Sequence, residues 1–406
     1  MRVQRSKHRA VGIGVLLSGM SNEPICSPVH VLHEQREAYF LPYGVETSLS
    51  SVVETFGDLD MEYAALRKGS VIFDENHMGT IEIRGSERLA FLNSMLTAKV
   101  IDQQPGENRW SFWLNRKGRI DADLRLAETD EGMFVRVDRH LAQATAESLG
   151  TFVFAEDVEI VDASDRLHRF AIHGPSALLW AGHLAGQDLQ ISQGHNCLVD
   201  IGSSRVLIER DDPCGEIGLS LCVQTEHARV LYERLLEIAE HHPELKARPS
   251  GWMAINAARI EAGTPLFNLD FGGSNLPVES GIIEQRVNFT KGCYLGQEVV
   301  ARMHARGACN KKVVALRIED QRITPEHTEI CQPTTGSQVF EVGKESETPV
   351  GIVTSSTISP MLGAIPIAFA MIKNGHDTPG TDLSISAEGK LVRGVVQEKL
   401  AFWSRA

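Results

Sequence analysis

The segment Lys291-Gly-Cys-Tyr-Leu-Gly-Gln-Glu298 places one thiol, Cys293, beside a lysine and between two glycines. After it, apolar residues recur at helical spacing, at Leu295, Val299, Val300 and Met303, which predicts a helix that starts at or just after the thiol. A helix N-terminus and a neighbouring ammonium, here Lys291, both favour thiolate over thiol. The segment therefore predicts a reactive cysteine. A small, half-buried apolar side chain is the alternative.

The overall charge limits the partners. The chain has 406 residues, and its 40 Lys and Arg stand against 53 Asp and Glu, a formal net charge of -13. This length suits two or three domains. The acidic balance gives no overall basic surface for nucleic acid or anionic lipid, so we predict neither as a partner.

The cysteines give no metal or disulfide pattern. There are seven, with no CxxC pair, which argues against a disulfide framework and against a self-contained zinc or iron–sulfur site. Cys293, His304 and Cys309 could ligate a metal, but their spacing fits no usual ligand pattern. We predict no metal site, and a reducing, cytoplasmic compartment.

The first residues differ from the rest. Residues 1–37 begin with a basic stretch and a short apolar run that is too short to span a bilayer, and Met20 could be the real start. We expect a disordered leader there.

Two stretches of the chain share one sequence pattern. Residues 81–96 and 170–185 each run from an alternating strand through glycine into an apolar helix, with Ser86 and Ser176 as expected N-caps. Asn115-Arg-Lys-Gly118 predicts a hairpin turn between two strands. From residue 313 onward, short strands at regular spacing predict a small β-barrel or sandwich. Walker, GxGxxG, HExxH and GxSxG motifs are absent from the sequence.

Lys291–Glu298, followed by Val-Val-Ala-Arg302, resembles the signature of YgfZ-type folate-binding proteins. These proteins are relatives of the glycine-cleavage T-protein, the tetrahydrofolate-dependent aminomethyltransferase. Five further segments resemble the wider superfamily: Leu114–Leu124, Ile172–Pro175, Gly215–Gly218, Ala258–Gly263 and Gly351–Pro360. The resemblance runs from about residue 40 to the end of the chain.

The resemblance implies an α+β, T-protein-like fold. It consists of two interlocked α+β domains around a central folate cavity, expected over residues 38–304, and a C-terminal β-barrel over 305–406. Tetrahydrofolate or a one-carbon derivative is the implied cofactor.

The resemblance also assigns site residues. Asp123 would orient folate or activate its N5/N10 region, where a carboxylate can manage a proton. T-proteins have two adjacent acids where this chain has Ala122-Asp123, with another acid at Asp121. Glu216, in a Gly-Glu-x-Gly segment, would accept N–H bonds from the pterin edge. Arg259 and Glu261 would form a pair that organises the cavity, or would meet the folate tail.

Each of these residues also has a plainer interpretation. Asp123 could be a polar residue on the solvent face of a strand. Glu216 could be a turn residue. Arg259 and Glu261 could be a helix ion pair without a ligand.

Two functions follow from the resemblance. In the leading hypothesis the protein binds tetrahydrofolate and helps to assemble or repair iron–sulfur clusters in client enzymes. Cys293 is then the redox or transfer thiol and Lys291 its electrostatic helper. T-proteins carry aspartate at the position of Cys293. In the alternative, the protein is a folate-dependent aminomethyl or methyl transferase that uses Asp123. A scaffold that has lost its ligand is the third possibility.

Overall fold

The computed structural model describes residues 23–307, 309–319 and 330–403. These residues contain two open β-sheets, a two-stranded hairpin and a closed six-stranded barrel. The α-helices are α1 His30–Glu34, α2 Leu59–Lys68, α3 Arg88–Met95, α4 Arg139–Gly150, α5 Ala177–Ala185, α6 Thr225–His241, α7 Trp252–Glu261, α8 Ile283–Arg286 and α9 Gln297–Arg306.

The strands of the first half are β1 Tyr39–Val45, β2 Ser48–Thr55, β3 Ser70–Asp74, β4 Met78–Arg84, β5 Asn108–Leu114, β6 Ile120–Thr129, β7 Gly132–Asp138, β8 Glu159–Asp162, β9 Leu167–His173 and β10 Asn196–Ile201. Those of the second half are β11 Ser204–Arg210, β12 Gly218–Gln224, β13 Ala247–Pro249, β14 Lys311–Ile318, β15 Gln338–Glu341, β16 Gly351–Ser359, β17 Ile365–Lys373, β18 Asp382–Ala387 and β19 Lys390–Val396.

Each open sheet is covered by helices on its apolar face. The five-stranded sheet, in the order β5-β6-β7-β4-β8, packs side chains such as Leu124 and Val135 against α3 and α4. The six-stranded sheet, in the order β10-β11-β12-β9-β3-β13, packs against Trp180 of α5 and Leu235 of α6. Alternating side chains place the apolar residues of each strand on one face, where burial contributes roughly 1.5–3 kcal/mol for each large side chain.

The two sheets are interlocked by the path of the chain. Strand β3 belongs to the six-stranded sheet, but the chain then leaves to build the whole five-stranded sheet before it returns through β9. The five-stranded sheet is therefore one continuous segment inserted between two strands of the six-stranded sheet. This confirms the predicted interlocked α+β units, and the closed barrel of β14 to β19 confirms the predicted C-terminal barrel.

The other faces of the two sheets meet through charged side chains. Arg125 on β6 lies 3.5 Å from Glu209, which is on β11 of the other sheet. It lies 2.6 Å from Asp211, which directly follows β11. Arg169 on β9 is paired with the same Glu209, and both side chains are fully buried. Arg136 on β7 lies 3.3 Å from Asp211 and 3.7 Å from Glu75.

We refer to these six residues as the charged layer; they are Glu75, Arg125, Arg136, Arg169, Glu209 and Asp211. Arg125 and Arg136 pair with acids of the other sheet, and Arg169 pairs with Glu209 of its own sheet. None of the three arginines is therefore buried alone, which would be costly.

The predicted hairpin lies between β5 and β6. The Asn115 side chain accepts hydrogen bonds from the backbone N–H groups of Lys117 and Arg119, at 3.0 and 3.2 Å. Gly118 has φ +72°, which explains its place in the turn. The cap at Ser86 is wrong: α3 begins at Arg88, and the Ser86 hydroxyl instead donates to Asp157 at 2.7 Å.

The N-terminal boundary was also placed wrongly. From residue 23 on, the expected disordered leader is part of the fold. Ile25 exchanges backbone hydrogen bonds with Leu49 and Ser51, and Val29 and Leu32 are buried against the six-stranded sheet. A few widely spaced anchors hold this segment, so it shows no periodic pattern in the sequence. Residues 1–22 lie outside the described part of the chain.

Two further points concern the boundaries and the surface. The predicted division at residue 304 falls inside α9, and β14 begins at Lys311. Among the residues that the structure describes, no helix has the length and apolar character needed to cross a bilayer.

The charged layer makes a stability prediction. Replacing Glu209 by Ala removes the buried carboxylate that pairs with Arg169 and one of the two carboxylates near Arg125. We therefore expect a loss of about 3–5 kcal/mol in the free energy of unfolding. Denaturant unfolding measures this. As a control, Asp200→Ala removes only the exposed pair with Arg205 and should leave the midpoint unchanged. Equal midpoints for the two variants would show that the layer does not stabilise the fold.

Candidate functional site

A cavity of about 660 Å³ lies between the β1–β2 hairpin, α2, α7 and barrel strand β16. We call it the main cavity. One part of its wall is apolar and aromatic, and the other carries amide, hydroxyl and guanidinium groups. The lining includes Leu41, Tyr43, Leu59, Trp252, Met253, Asn256, Arg259, Asn268, Thr354, Ser355 and Thr357. Its size and mixed lining are typical of a small-molecule site.

Asp138 stands behind this wall, at the end of β7. The Tyr43 hydroxyl donates to Asp138 Oδ1 at 2.9 Å, and the Asn268 amide donates to Oδ2 at 2.8 Å. Both donors line the main cavity. Burial raises the pKa of Asp138 to about 7, and the hydrogen bonds from Tyr43 and Asn268 only partly offset it. Asn268 has φ +65°, an uncommon conformation for a residue other than glycine.

Asp123 lies beside Asp138. Arg125 on β6 is opposite Arg136 on β7, so the same register brings the two aspartates together at the next position on this face. The charge of Asp123 contributes to the raised pKa of Asp138. Asp123 itself accepts a hydrogen bond from Arg286 Nε at 2.8 Å, and burial raises its pKa although Arg286 opposes this.

Asp123 therefore faces a different space from the one that Asp138 supports. The Arg286 guanidinium lies 4.1 Å from the ring centroid of Trp110. Both residues line a second cavity of about 470 Å³. Asp123 does not line the main cavity, and Arg286 separates it from the second one. The alternative that Asp123 is a solvent-face residue is wrong, since its side chain is only 10% exposed.

Arg259 is the predicted site residue that lines the main cavity. Its guanidinium is held by Asp270 at 2.5 Å, by the Ser355 hydroxyl at 2.6 Å and by Asn256 at 2.9 Å. The predicted pairing of Arg259 with Glu261 is wrong. Side chains two residues apart on a helix do not face each other, and Glu261 points to the other side of α7.

Glu216 and Glu261 meet at Arg67 instead. Arg67 forms an ion pair with Glu261 and lies 3.8 Å from Glu216. Its guanidinium is also placed over the rings of Tyr63 and Trp403. This buried cluster joins α2, α7 and the end of the chain. It touches the main cavity only through Tyr63.

Lys291 and Cys293 have different surroundings: Lys291 is partly buried and hydrogen-bonded, whereas Cys293 is exposed. The Lys291 ammonium donates to the backbone carbonyls of Asn93, Leu96 and Ala98 at 2.6–2.7 Å. Burial lowers the pKa of Lys291 to about 8. With all three N–H groups engaged, Lys291 has no donor left for a thiolate.

Cys293 is exposed and precedes the helix. Helix α9 is confirmed, but it starts at Gln297 with Gly296 as its N-cap, so Cys293 does not lie in its first turn. Tyr294, Leu295 and Gly296 therefore lie between the thiol and the first residue of the helix.

Two family descriptions match the chain. The GCVT N-terminal domain matches residues 29–291, and the glycine cleavage T-protein C-terminal barrel domain matches residues 311–402. The protein belongs to the glycine cleavage T-protein family. These matches together cover both open sheets and the barrel.

Similar proteins agree with this assignment. An aminomethyltransferase of Bacillus subtilis (strain 168) is 26% identical over 86% of this chain and 92% of its own length. One from Saccharopolyspora erythraea is 28% identical over 91% of this chain and 96% of its own. The crystal structure of glycine cleavage system aminomethyltransferase T from Bartonella henselae superimposes with a TM-score of 0.80 at 21% identity, covering 94% of this chain and 99% of that one. The last comparison shows the same fold.

Three residues between the charged layer and the main cavity of this T-protein scaffold were not predicted from the sequence. They are Tyr43, Asp138 and Asn268. Asp138 ends an alternating strand, and its position opposite Asp123 follows once β6 and β7 are paired. That was a usable signal. Tyr43 gave no such signal, since it lies 95 residues before Asp138 and no local pattern connects the two.

The raised pKa of Asp138 predicts a pH dependence. The folded protein keeps the Asp138 proton up to about pH 7, whereas the unfolded chain releases it near pH 4. The stabilisation is therefore complete below pH 4 and is lost as the pH rises towards 7, by at most about 1.4 kcal/mol per pH unit.

Thermal or denaturant unfolding at several pH values tests this. The stability difference between the wild type and Asp138→Asn should fall from pH 4 to pH 7. The same substitution at Asp200, an exposed aspartate outside both cavities, gives the baseline for this comparison. A flat difference for Asp138→Asn would contradict the assignment.

Proposed function

We propose that the protein binds a reduced folate in the main cavity and catalyses one-carbon transfer of the aminomethyltransferase type. One observation carries the proposal: a buried carboxyl with a pKa of about 7, Asp138, is hydrogen-bonded to two residues of the cavity wall. A group with this pKa is half ionised at neutral pH and can both accept and return a proton.

The residues present fit a folate. The faces of Tyr43 and Trp252 offer aromatic contact for a flat ring system, and the amide and hydroxyl groups of the opposite wall offer hydrogen bonds. Arg259 adds the positive charge that the ligand's carboxylates would meet, although Asp270 already shares it. The relatives named aminomethyltransferase also match this chain over most of their length.

In the proposed reaction a folate nitrogen forms a bond to the carbon of the aminomethyl donor while the bond between that carbon and its leaving group breaks. The proton that the nitrogen loses is returned through Asp138 to the leaving group. Tyr43 would accept the proton that leaves this nitrogen while its own hydroxyl proton passes to Asp138 Oδ1, 2.9 Å away. Asn268 would hold the second oxygen of the same carboxyl and so fix its orientation. Asp123 would keep the pKa of Asp138 high through its charge. In this proposal Asp123 raises the pKa of Asp138, and Asp138 carries the proton.

Calorimetric titration with tetrahydrofolate and an assay for methylene-tetrahydrofolate formation test the proposal. Asp138→Asn and Tyr43→Phe should keep folate binding within a few-fold and lower turnover by roughly 10²–10⁴-fold, as expected for loss of acid–base catalysis. Asp200→Asn, at an exposed residue outside both cavities, should retain both. Tight folate binding without turnover on any aminomethyl donor would exclude the transferase, and absence of folate binding would favour a scaffold that has lost its ligand.

A second function is favoured by the exposed thiol of Cys293. Its segment resembles the YgfZ signature, and T-proteins carry aspartate at this position. We propose as the alternative that the folate-loaded protein assists assembly or repair of iron–sulfur clusters in client enzymes, with Cys293 as the redox or transfer thiol. Lys291 would hold the segment in place rather than activate the thiol.

Iron–sulfur enzyme activities in cells depleted of this protein distinguish the two functions. The wild type and Cys26→Ser should restore them, because Cys26 is also exposed but lies far from the signature in the sequence. Cys293→Ser should not, although it should keep folate binding. Full rescue by Cys293→Ser would remove the thiol from the mechanism.

A further inference from the structure

Three possible metal ligands lie close together at the C-terminal ends of two helices, α5 and α6. None of the three lines the main cavity. His183 lies in the last turn of α5, and His242 is the C-cap of α6. Glu244 follows in a short 3₁₀-helix, Pro243–Leu245. One ligand atom from each residue can be chosen so that all three lie within 4.8 Å of one another.

The geometry of the three side chains is specific. His242 Nδ1 lies 2.9 Å and His183 Nε2 lies 4.0 Å from the same oxygen, Oε1 of Glu244. The two imidazole rings are stacked, with centroids 3.8 Å apart and planes inclined by 29°. Both nitrogens therefore lie near the same carboxylate oxygen. An ion could take the place of this contact once the Glu244 side chain and the two rings rotate towards it.

The local electrostatics favour a cation. Helices α5 and α6 both end here, and the free carbonyl groups of helix C-termini carry partial negative charge. The Glu244 carboxylate adds a full negative charge, and its pKa is lowered by a backbone hydrogen bond and then by His242. Two imidazoles and one carboxylate, with a water as the fourth ligand, are a usual donor set for zinc and for similar divalent ions.

We propose that His183, His242 and Glu244 form a divalent metal site that ties the end of α5 to the end of α6. The two helices cover the same face of the six-stranded sheet, and residues of both belong to its core. A metal at this position would therefore join the two parts of the helical layer. The signals for the site come from distant parts of the chain, which is why cysteine and histidine spacing did not reveal it.

The competing explanation is a simple hydrogen-bonded cluster. Glu244 could bridge two imidazoles, one of them protonated, without any ion. The two explanations differ in one measurable respect, because only the metal site should take up one equivalent of a divalent ion at neutral pH. They make opposite predictions for a single titration.

Titration of the purified full-length chain with Co²⁺, followed by visible absorption, tests the proposal. We expect one equivalent to bind, with ligand-field bands but without the thiolate-to-cobalt charge-transfer band that the free cysteines would give. His183→Ala and His242→Ala should each weaken binding by at least ~10-fold, since even loss of a residue that only supports a ligand costs that much. Zn²⁺ should raise the midpoint of thermal unfolding of the wild type but not of these two variants.

His241→Ala is the matched control. This neighbouring histidine is exposed, and its Nδ1 is engaged with the Glu237 carbonyl at 2.8 Å, so its loss should leave Co²⁺ binding unchanged. Metal-free unfolding midpoints of all variants show whether each is folded, and His183→Gln and His242→Gln replace any alanine variant that is not. Absence of binding, binding that survives both histidine changes, or a thiolate band would each overturn the proposal.

Discussion

The charged layer between the two open sheets is the constraint on which the rest of this structure depends. Most sheets that pack face to face do so through hydrocarbon, where small shifts in register cost little specificity. Here buried arginines of one sheet pair with acids of the other, as Arg125 does with Glu209 and Arg136 with Asp211, because an unpaired charge costs several kcal/mol. Arg125 and Arg169 meet at Glu209, and Arg125 and Arg136 meet at Asp211. The sheets consequently hold one relative position.

The candidate site lies where this pairing ends. Within the layer the acids are matched by arginines, and burial and attraction balance; the pKa of Asp211 stays low for this reason, with the Arg125 charge as the largest opposing influence to burial. At the edge, Asp123 still has Arg286, but Asp138 has only neutral donors, Tyr43 and Asn268. Burial raises the pKa of both carboxyls, but an arginine opposes this at Asp123 and hydrogen bonds from neutral groups oppose it at Asp138.

The sequence predicted the helices, strands and turns better than the side-chain contacts between them. The Asn115–Gly118 turn, helix α9 and the barrel follow from local patterns, and the T-protein-like arrangement follows from the resemblance. What could not be predicted depends on side chains that meet from distant parts of the chain. Glu261 pairs with Arg67 rather than Arg259, and residues 23–37 are held by a few contacts without periodicity. Local spacing carries no information about such contacts.

The signature segment is explained mostly by structure. Lys291 is fixed by three carbonyls, and Tyr294 is buried. Gly296 has φ +80°, and a Cβ there would lie 2.9 Å from the Asn115 carbonyl, so only glycine fits against the β5–β6 turn.

Cys293 differs from these neighbours, because its exposed side chain contributes little to packing. A fold requirement accounts for the residues around the thiol but not for the thiol. A role for the thiol therefore depends on the second proposed function, in which it acts at the surface and apart from the main cavity.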